Sequence, residues 1–231
     1  MADVIVPEMP LRDIPLVPIA EETKGFAPRD LAPLDAIRVG GPAVFTVDGT
    51  PGSVAEDKAI VQYLKEHPDE RFWLVHLTAS FDPDNSFWFA KAWLRVQLTG
   101  AANVHPTAWS LDPIRVERST ELKTTLKLGA DLKFLGTGVT PSVEQTGTST
   151  RTQGLVLGMR ELNPDPYWVF APTDGERVAG TYRCSMVVKA PTGSQISGAV
   201  SLTANVERKA LGVIPYGATP PDPSTLTFAL K

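Results

Sequence analysis

The chain has 231 residues, 42% of them hydrophobic, and its 22 basic and 26 acidic residues give a net charge of −4. A chain of this length and composition can bury a sizeable core, as one large domain or as a domain with a small appendage. The charges are interspersed and no basic block stands out, so the sequence predicts no nucleic-acid partner.

Targeting signals and disulfides are not evident in the sequence. The single cysteine, Cys184, excludes an intramolecular disulfide. The first residues lack a basic stretch followed by an apolar run, so they do not resemble a secretory signal peptide. No stretch approaches ~18 uninterrupted apolar residues, the length of a transmembrane helix. These features predict a soluble cytoplasmic protein, with signal-independent export left open.

Residues 1–51 contain eight of the 21 prolines. Proline lacks a backbone donor and favours extended geometry in the residue before it, so this segment cannot form a regular helix or a central strand. Its apolar residues nevertheless require burial. We predict an extended arm that packs on a surface, of its own domain or of a neighbouring copy, through Ile14, Leu16, Val17 and Ile19.

One helix is predicted over residues 54–66. Ser53 and Glu56 form a capping box, which satisfies two free amide groups at a helix start. Ile60, Tyr63 and Leu64 then fall on one face at helical spacing. Pro68 ends the helix.

A β-sandwich domain is predicted over residues 52–219, which include this helix. The runs 72–80 and 87–98 alternate around a turn at 82–85 and suggest a hairpin. Residues 109–118 suggest an edge strand interrupted by Pro113. The runs 178–188 and 196–206 suggest a second hairpin. Sequential strands with short turns favour an antiparallel two-layer sandwich, immunoglobulin-like or jelly-roll.

The most regular stretch is residues 120–134, where apolar and charged residues alternate. A period of two marks a strand with one dry and one wet face. The Gly-rich link 136–141 turns the chain back, and the run 142–158 carries threonines at the same period. We predict that the two runs pair as one long antiparallel hairpin. The dry face comprises Leu122, Thr124, Leu126, Leu128, Ala130, Leu132 and Phe134.

The C-terminal residues 220–231 begin with a proline-rich turn and end in a second alternating pattern. Leu226, Phe228 and Leu230 alternate with smaller residues, as an added edge strand would. We predict that this tail covers a sheet edge or an apolar groove, either on its own domain or on a partner.

Candidate catalytic and metal-binding groups are scattered. His67, His76 and His105 do not occur at metal-ligand spacing. Cys184 lies on an apolar strand face, which predicts a buried, unreactive thiol. The run beginning at Asp82 resembles the start of a calcium loop but lacks its glycine and its final glutamate. No phosphate loop, nucleophile elbow or dinucleotide fingerprint occurs. The sequence therefore predicts no catalytic, cofactor or metal site.

An aromatic cluster spans residues 72–93. Aromatic side chains stack on sugars and fill partner pockets, but they are also ordinary core residues, and we expect core here. The cluster consists of Phe72, Trp73, Phe81, Phe87, Trp88, Phe89 and Trp93.

Three functions are compatible with these features. The first is a non-catalytic binding or assembly protein that acts through protein–protein contacts, with itself or with another partner. The second is a membrane-active protein that inserts the β-hairpin of residues 120–158 and forms pores. The third is an enzyme on a β scaffold, which would require two or more of His76, Asp82, Asp84, His105 and Asp112 to converge in a pocket.

Overall fold

The computed structural model describes residues 3–5, 10–15, 17–18, 37–48, 58–83, 87–117, 125–127, 155–172, 177–210, 212–219 and 226–231. Within these ranges it contains fifteen strands and one helix. In chain order they are β1 (Asp3–Ile5), β2 (Leu11–Asp13), β3 (Val17–Pro18), β4 (Ile37–Val47), α1 (Lys58–Glu66), β5 (Glu70–Phe81), β6 (Phe87–Gly100), β7 (Thr107–Asp112), β8 (Arg115–Glu117), β9 (Thr125–Lys127), β10 (Leu155–Met159), β11 (Tyr167–Ala171), β12 (Gly180–Pro191), β13 (Ile196–Ala210), β14 (Gly212–Thr219) and β15 (Thr227–Leu230).

The strands form two large antiparallel sheets. One has five strands in the order β2-β4-β5-β12-β7. The other has eight strands, in the order β3-β14-β13-β6-β11-β10-β8, with β15 beside β13. A separate pair joins β1 to β9. The predicted mainly β, two-layer antiparallel sandwich is confirmed.

One hydrophobic core lies between the two sheets. Alternate residues of β5 and β12 point into it from the five-stranded sheet, among them Trp73, Leu77 and Met186. The eight-stranded sheet contributes alternate residues of β6, β11 and β13, such as Leu94 and Trp168. This period-two burial is what a strand with one core-facing side produces.

The helix lies against the five-stranded sheet. Tyr63 of α1 meets Phe72 of β5 edge-on, with ring centroids 5.9 Å apart. The end of the helix at Glu66 agrees with the predicted stop before Pro68. The predicted helix start, residues 54–57, lies outside the described residues.

The two predicted hairpins of neighbouring strands are wrong. β5 pairs with β4 and β12, whereas β6 pairs with β11 and β13, so 72–80 and 87–98 belong to different sheets. The same is true of β12 and β13, which follow one another across the turn at 192–195. Each of these strands has an apolar face that must reach the core, and a short connection can cross between layers as well as within one.

Two further local predictions need correction. The stretch 109–118 holds two strands and not one, although the predicted edge position and the predicted interruption at Pro113 are confirmed. β7 ends one sheet and β8 ends the other, with Pro113 between them. In β6 the predicted alternation changes phase at Ala90. Asn205 is opposite Lys91 while Val206 is opposite Phe89, so β6 has one extra residue there. Such a bulge moves Phe87 and Phe89 to the core face, where both are buried.

Candidate functional site

The candidate site is the root of residues 118–154, the place where this segment joins the eight-stranded sheet. β8 and β10 are antiparallel neighbours, with Glu117 opposite Leu155 and Arg115 opposite Leu157. β8 is the last strand in the order of its sheet. The chain therefore leaves the sheet from its edge strand and returns on the adjacent strand.

The predicted long hairpin lies largely outside the described residues. Of its first strand only β9 is described, and of its second strand only the start of β10. β9 pairs with β1, so that Leu126 is opposite Val4. β10 pairs with β8 on one side and with β11 on the other. The pairing of 120–134 with 142–154 stays a prediction.

The two faces of the root differ in burial. Val156 of β10 is 3% exposed and belongs to the core. Its partner on β11, Phe170, is fully buried. Leu155 and Leu157, on the opposite face of β10, are only half-buried. Even-numbered positions of β10 thus face the core, and odd-numbered positions face outward.

The outward face beside the root carries aromatic rings covered by cations. Lys91 Nζ lies 5.2 Å from the centroid of the Trp93 ring, and the Arg95 guanidinium lies 5.5 Å from that of Tyr167. A cation over a ring face is attracted by its negative potential. The rings on this face are therefore partly shielded from water by charged side chains.

Most of the aromatic cluster is core, as predicted. Five members are at most 6% exposed: Phe72, Trp73, Phe81, Phe87 and Phe89. Trp88 and Trp93 are half-buried instead. The Trp88 indole N–H donates to Glu207 Oε2 at 2.8 Å, and Arg177 lies 4.6 Å from the ring centroid.

The C-terminal tail lies on the chain's own sheet. β15 pairs with β13, with Leu230 opposite Ile196 and Phe228 opposite Gly198. Leu226 and Leu230 are 3% and 2% exposed, and Phe228 packs against the core. The apolar side chains of the tail are therefore packed against the chain's own sheet.

The N-terminal arm is described in part. Ile14 is buried at 7% exposure, and its N–H donates to the carbonyl of Ile37 at 2.9 Å. Val17 is half-buried in β3, which pairs with β14. Leu16 and Ile19 lie outside the described residues.

A serine and a histidine meet inside the five-stranded sheet. His76 Nδ1 and Ser185 Oγ share a hydrogen bond of 2.7 Å. Asp112 of β7 is opposite Ser185 on the other side of β12. The serine thus stands between the two other groups, whereas a nucleophilic triad places the histidine in the middle. Burial, and secondarily Arg183, lowers the pKa of His76 to about 4.

The remaining candidates stand apart from one another. His67 Nδ1 is 2.9 Å from the Tyr63 carbonyl, and its ring stacks on Tyr63. His105 and Asp82 are exposed, and Asp84 lies outside the described residues. Among the described residues, no three His, Cys, Asp or Glu side chains cluster as metal ligands would. Cys184 is fully buried, as predicted, and burial raises its pKa.

Sequence reasoning missed the root itself. It treated 109–118 as one strand and so did not separate β8 from β7. Pro113 indicated a break in pairing, but no residue pattern indicated that the segments on its two sides join different sheets. The Ser185 partner of His76 had no sequence signal, since the two residues are brought together only by strand pairing.

Comparison with known proteins gives little. No family model and no curated protein matches the chain. Among solved structures, it is similar to the Clostridium perfringens NetB toxin in its membrane-inserted form, with a TM-score of 0.31 and 9% identity over 71% of this chain and 84% of the toxin. It is also similar to Clostridium perfringens delta-toxin, with a TM-score of 0.30 and 10% identity over 84% and 88% of the two chains. Scores this low carry no conclusion about this chain. Within the described ranges, no helix combines the length and apolarity needed to cross a membrane.

Proposed function

We propose that this protein is membrane-active and inserts residues 118–154 as an amphipathic β-hairpin. The observation that carries the proposal is the register of the root. Glu117 is opposite Leu155, and one further step on each strand would place Arg118 opposite Gly154. Continued in this way, the two runs would converge on residue 136. Gly136 begins the glycine-rich link that the sequence independently predicts as the turn.

This register also sorts the side chains of the hairpin by polarity. Residues directly opposite one another in an antiparallel pair share a face. Leu122 would then face Thr150, and Leu126 would face Thr146, on the even-numbered side. That side is free of charge except for Arg118 at the root and Glu144. On the odd-numbered side Glu121 would face Arg151, two opposite charges.

The proposed hairpin is long enough for a bilayer. A membrane-spanning strand needs ~9–11 residues, and each arm exceeds this between residues 118 and 154. Strands that cross a membrane alternate between lipid-facing apolar residues and polar residues facing inward. Leucine and threonine suit the first role, and the lysines at 123, 127 and 133 suit the second.

The pairing of β9 with β1 is compatible with this hairpin. A strand offers backbone groups along two edges. β1 covers one edge of Thr125–Lys127. The other edge is the one that residues 145–147 would take in the proposed register.

Leakage of dye-loaded vesicles tests the function. Calcein-loaded phosphatidylcholine vesicles should leak when the full-length protein is added. Leu126→Asn would place an amide on the lipid-facing side and should abolish most of the leakage. The adjacent variant Lys127→Asn is the matched control and should leak like the parent. No leakage by the parent, or equal loss in both variants, would contradict the proposal.

The register can be tested residue by residue. In a Cys184→Ala background, single cysteines at positions 122–134 carry an environment-sensitive fluorophore. On vesicles the emission should shift to shorter wavelength at even positions and stay unshifted at odd positions. A pattern without period two would exclude insertion as a strand.

The other two functions stay predictions of the sequence. The assembly role was predicted from the apolar residues at both termini. The C-terminal strand pairs with β13 of the same chain, which weakens the argument for self-association through this tail. An enzymatic role would need the His76–Ser185 pair to meet a substrate, although these residues are 2% and 1% exposed.

A further inference from the structure

A second site lies at the end of the sandwich opposite the hairpin root. It is a cleft of about 500 Å³ between the start of β7, the β10–β11 turn and the end of β12. This volume is in the range of ordinary small-molecule sites. β10 runs from the root at Leu155 to Met159, and the turn that borders the cleft follows directly. Its lining includes Asp69, Glu70, His105, Trp109, Leu162 and Lys189.

Two polar atoms in the cleft wall are buried and have no hydrogen-bond partner among the residues that the structure describes. They are the indole Nε1 of Trp109 and the Oε2 of Glu70. A buried donor or acceptor left unpaired costs stability, so most native proteins satisfy such groups. Here one donor and one acceptor are unsatisfied in the same wall.

Lys189 links these two residues. Its ammonium donates to the other Glu70 oxygen, Oε1, at 2.8 Å and lies 4.3 Å from the centroid of the Trp109 ring. The Lys189 side chain is 24% exposed, and lysine has a flexible four-carbon stem. Rotation of this side chain would uncover the face of the Trp109 ring over which it lies.

The turn that borders the cleft has unusual backbone angles and exposes an apolar side chain to solvent. Arg160 and Leu162 have positive φ angles of 65° and 63°, a region that non-glycine residues rarely adopt. The turn is tied to β7, because the Leu162 N–H donates to the Ala108 carbonyl at 2.8 Å. Leu162 is 58% exposed. A strained turn that exposes a leucine at a cleft suggests a contact surface.

We infer that this cleft binds a neutral saccharide. A sugar hydroxyl can accept from Trp109 Nε1 and donate to Glu70, which satisfies both unpaired atoms. The apolar C–H face of the ring can pack on Trp109 and Leu162. An anionic ligand fits less well, because Asp69 and Glu70 outnumber Lys189. This site is independent of the hairpin and does not require the protein to act on membranes.

An oligosaccharide array tests the inference. The full-length protein is applied to immobilised neutral and sialylated oligosaccharides, and the strongest binder is then titrated in solution. We expect neutral oligosaccharides to bind. Trp109→Phe keeps a ring and removes the N–H, and Glu70→Gln changes the acceptor, so each should weaken binding by about tenfold or more. Trp93→Phe, on the outer face of β6, is the matched control and should bind like the parent.

A stability measurement separates binding from folding. Since Trp109→Phe removes an unsatisfied buried donor, its melting temperature without ligand should equal or exceed that of the parent. A folded Trp109→Phe protein that binds as tightly as the parent would overturn the inference. So would an array that captures no oligosaccharide or only sialylated ones, or an equal loss of binding in Trp93→Phe.

Discussion

The two sheets bury their central strands in different ways. In the five-stranded sheet, all ten residues from Phe72 to Phe81 of β5 are buried, on both faces. In the eight-stranded sheet, β6 alternates between buried residues such as Leu94 and exposed ones such as Arg95. A strand covered on both faces needs a nearly continuous apolar run, whereas a strand with one wet face needs alternation.

The polar residues on the outward sides of the two strands also differ in what they contact. On the outward side of β5, His76 pairs with Ser185, and Ser80 Oγ accepts from Thr181 Oγ1 at 3.1 Å. On the outward side of β6, Lys91 and Arg95 reach water across aromatic rings. Most polar groups inside a protein are paired with protein groups, because an unpaired one costs free energy, while those at the surface bind water.

The largest expected effect is at Phe81, where the two sheets meet. Its ring is 5.1 Å from that of Phe170 and 5.5 Å from that of Phe89, both on the other sheet. Phe81→Ala should lower the free energy of unfolding by about 3–5 kcal/mol. Urea denaturation measures this. A loss no larger than that of Trp93→Ala, on the outer face of β6, would contradict the core position of Phe81.

The next effect concerns His76 and pH. Its folded pKa of about 4 lies below the ordinary 6.5, so the unfolded chain takes up the proton first as the pH falls. The stability should be full above pH 6.5 and decline from there toward pH 4, by at most about 3 kcal/mol. His76→Gln should show a smaller decline between about pH 7 and 4.5. Parallel pH profiles for parent and variant would exclude His76 as a source of this dependence.

A smaller loss of folding stability is expected from substitutions at the C-terminal strand β15, which belongs to the eight-stranded sheet. Leu230→Ala removes a buried side chain at a chain end that can relax, so it should cost about 2 kcal/mol. Gly198→Ala is a sharper probe, because a Cβ there would overlap the ring of Phe228. Gly193→Ala is the comparison for backbone strain without a clash, because φ is 79° there and no atom lies within 4 Å of the added Cβ. A melting temperature lowered more by Gly193→Ala than by Gly198→Ala would argue against the packing of β15.

The smallest effect is expected on the outer face of β6. Arg95→Met removes the cation over Tyr167 and should change stability by about 0.5 kcal/mol. Urea denaturation measures this change in the free energy of unfolding. A cost of several kcal/mol would mean that this face is covered as the outward face of β5 is, and the contrast between the sheets would disappear.

Much of the fold follows from local pattern. The alternation in 178–188 and 196–206 correctly placed strands there and correctly assigned Cys184 to a buried face. The helix stop before Pro68 followed from the chemistry of proline. The predicted pairing of neighbouring strands was wrong. Alternation in a sequence shows that a strand has one core-facing side, but it does not show which of the two sheets the strand joins.

The candidate site, too, could be predicted only in part from the sequence. The alternation and the glycine-rich turn of residues 120–141 are visible in the sequence, but the paired root at Glu117 and Leu155 is not. The cleft at Trp109 had no sequence signal, because its residues come from four separate parts of the chain.

The sequence by itself determined the two-layer β class, the positions of most strands and the amphipathic character of residues 120–134. These depend on side-chain periodicity and on proline and glycine, which act within a few residues. Tertiary structure alone decided which strands are neighbours, that His76 bonds Ser185 and that β15 completes its own sheet. These contacts join residues far apart in the chain, and their stability depends on burying a shared core that no single segment specifies.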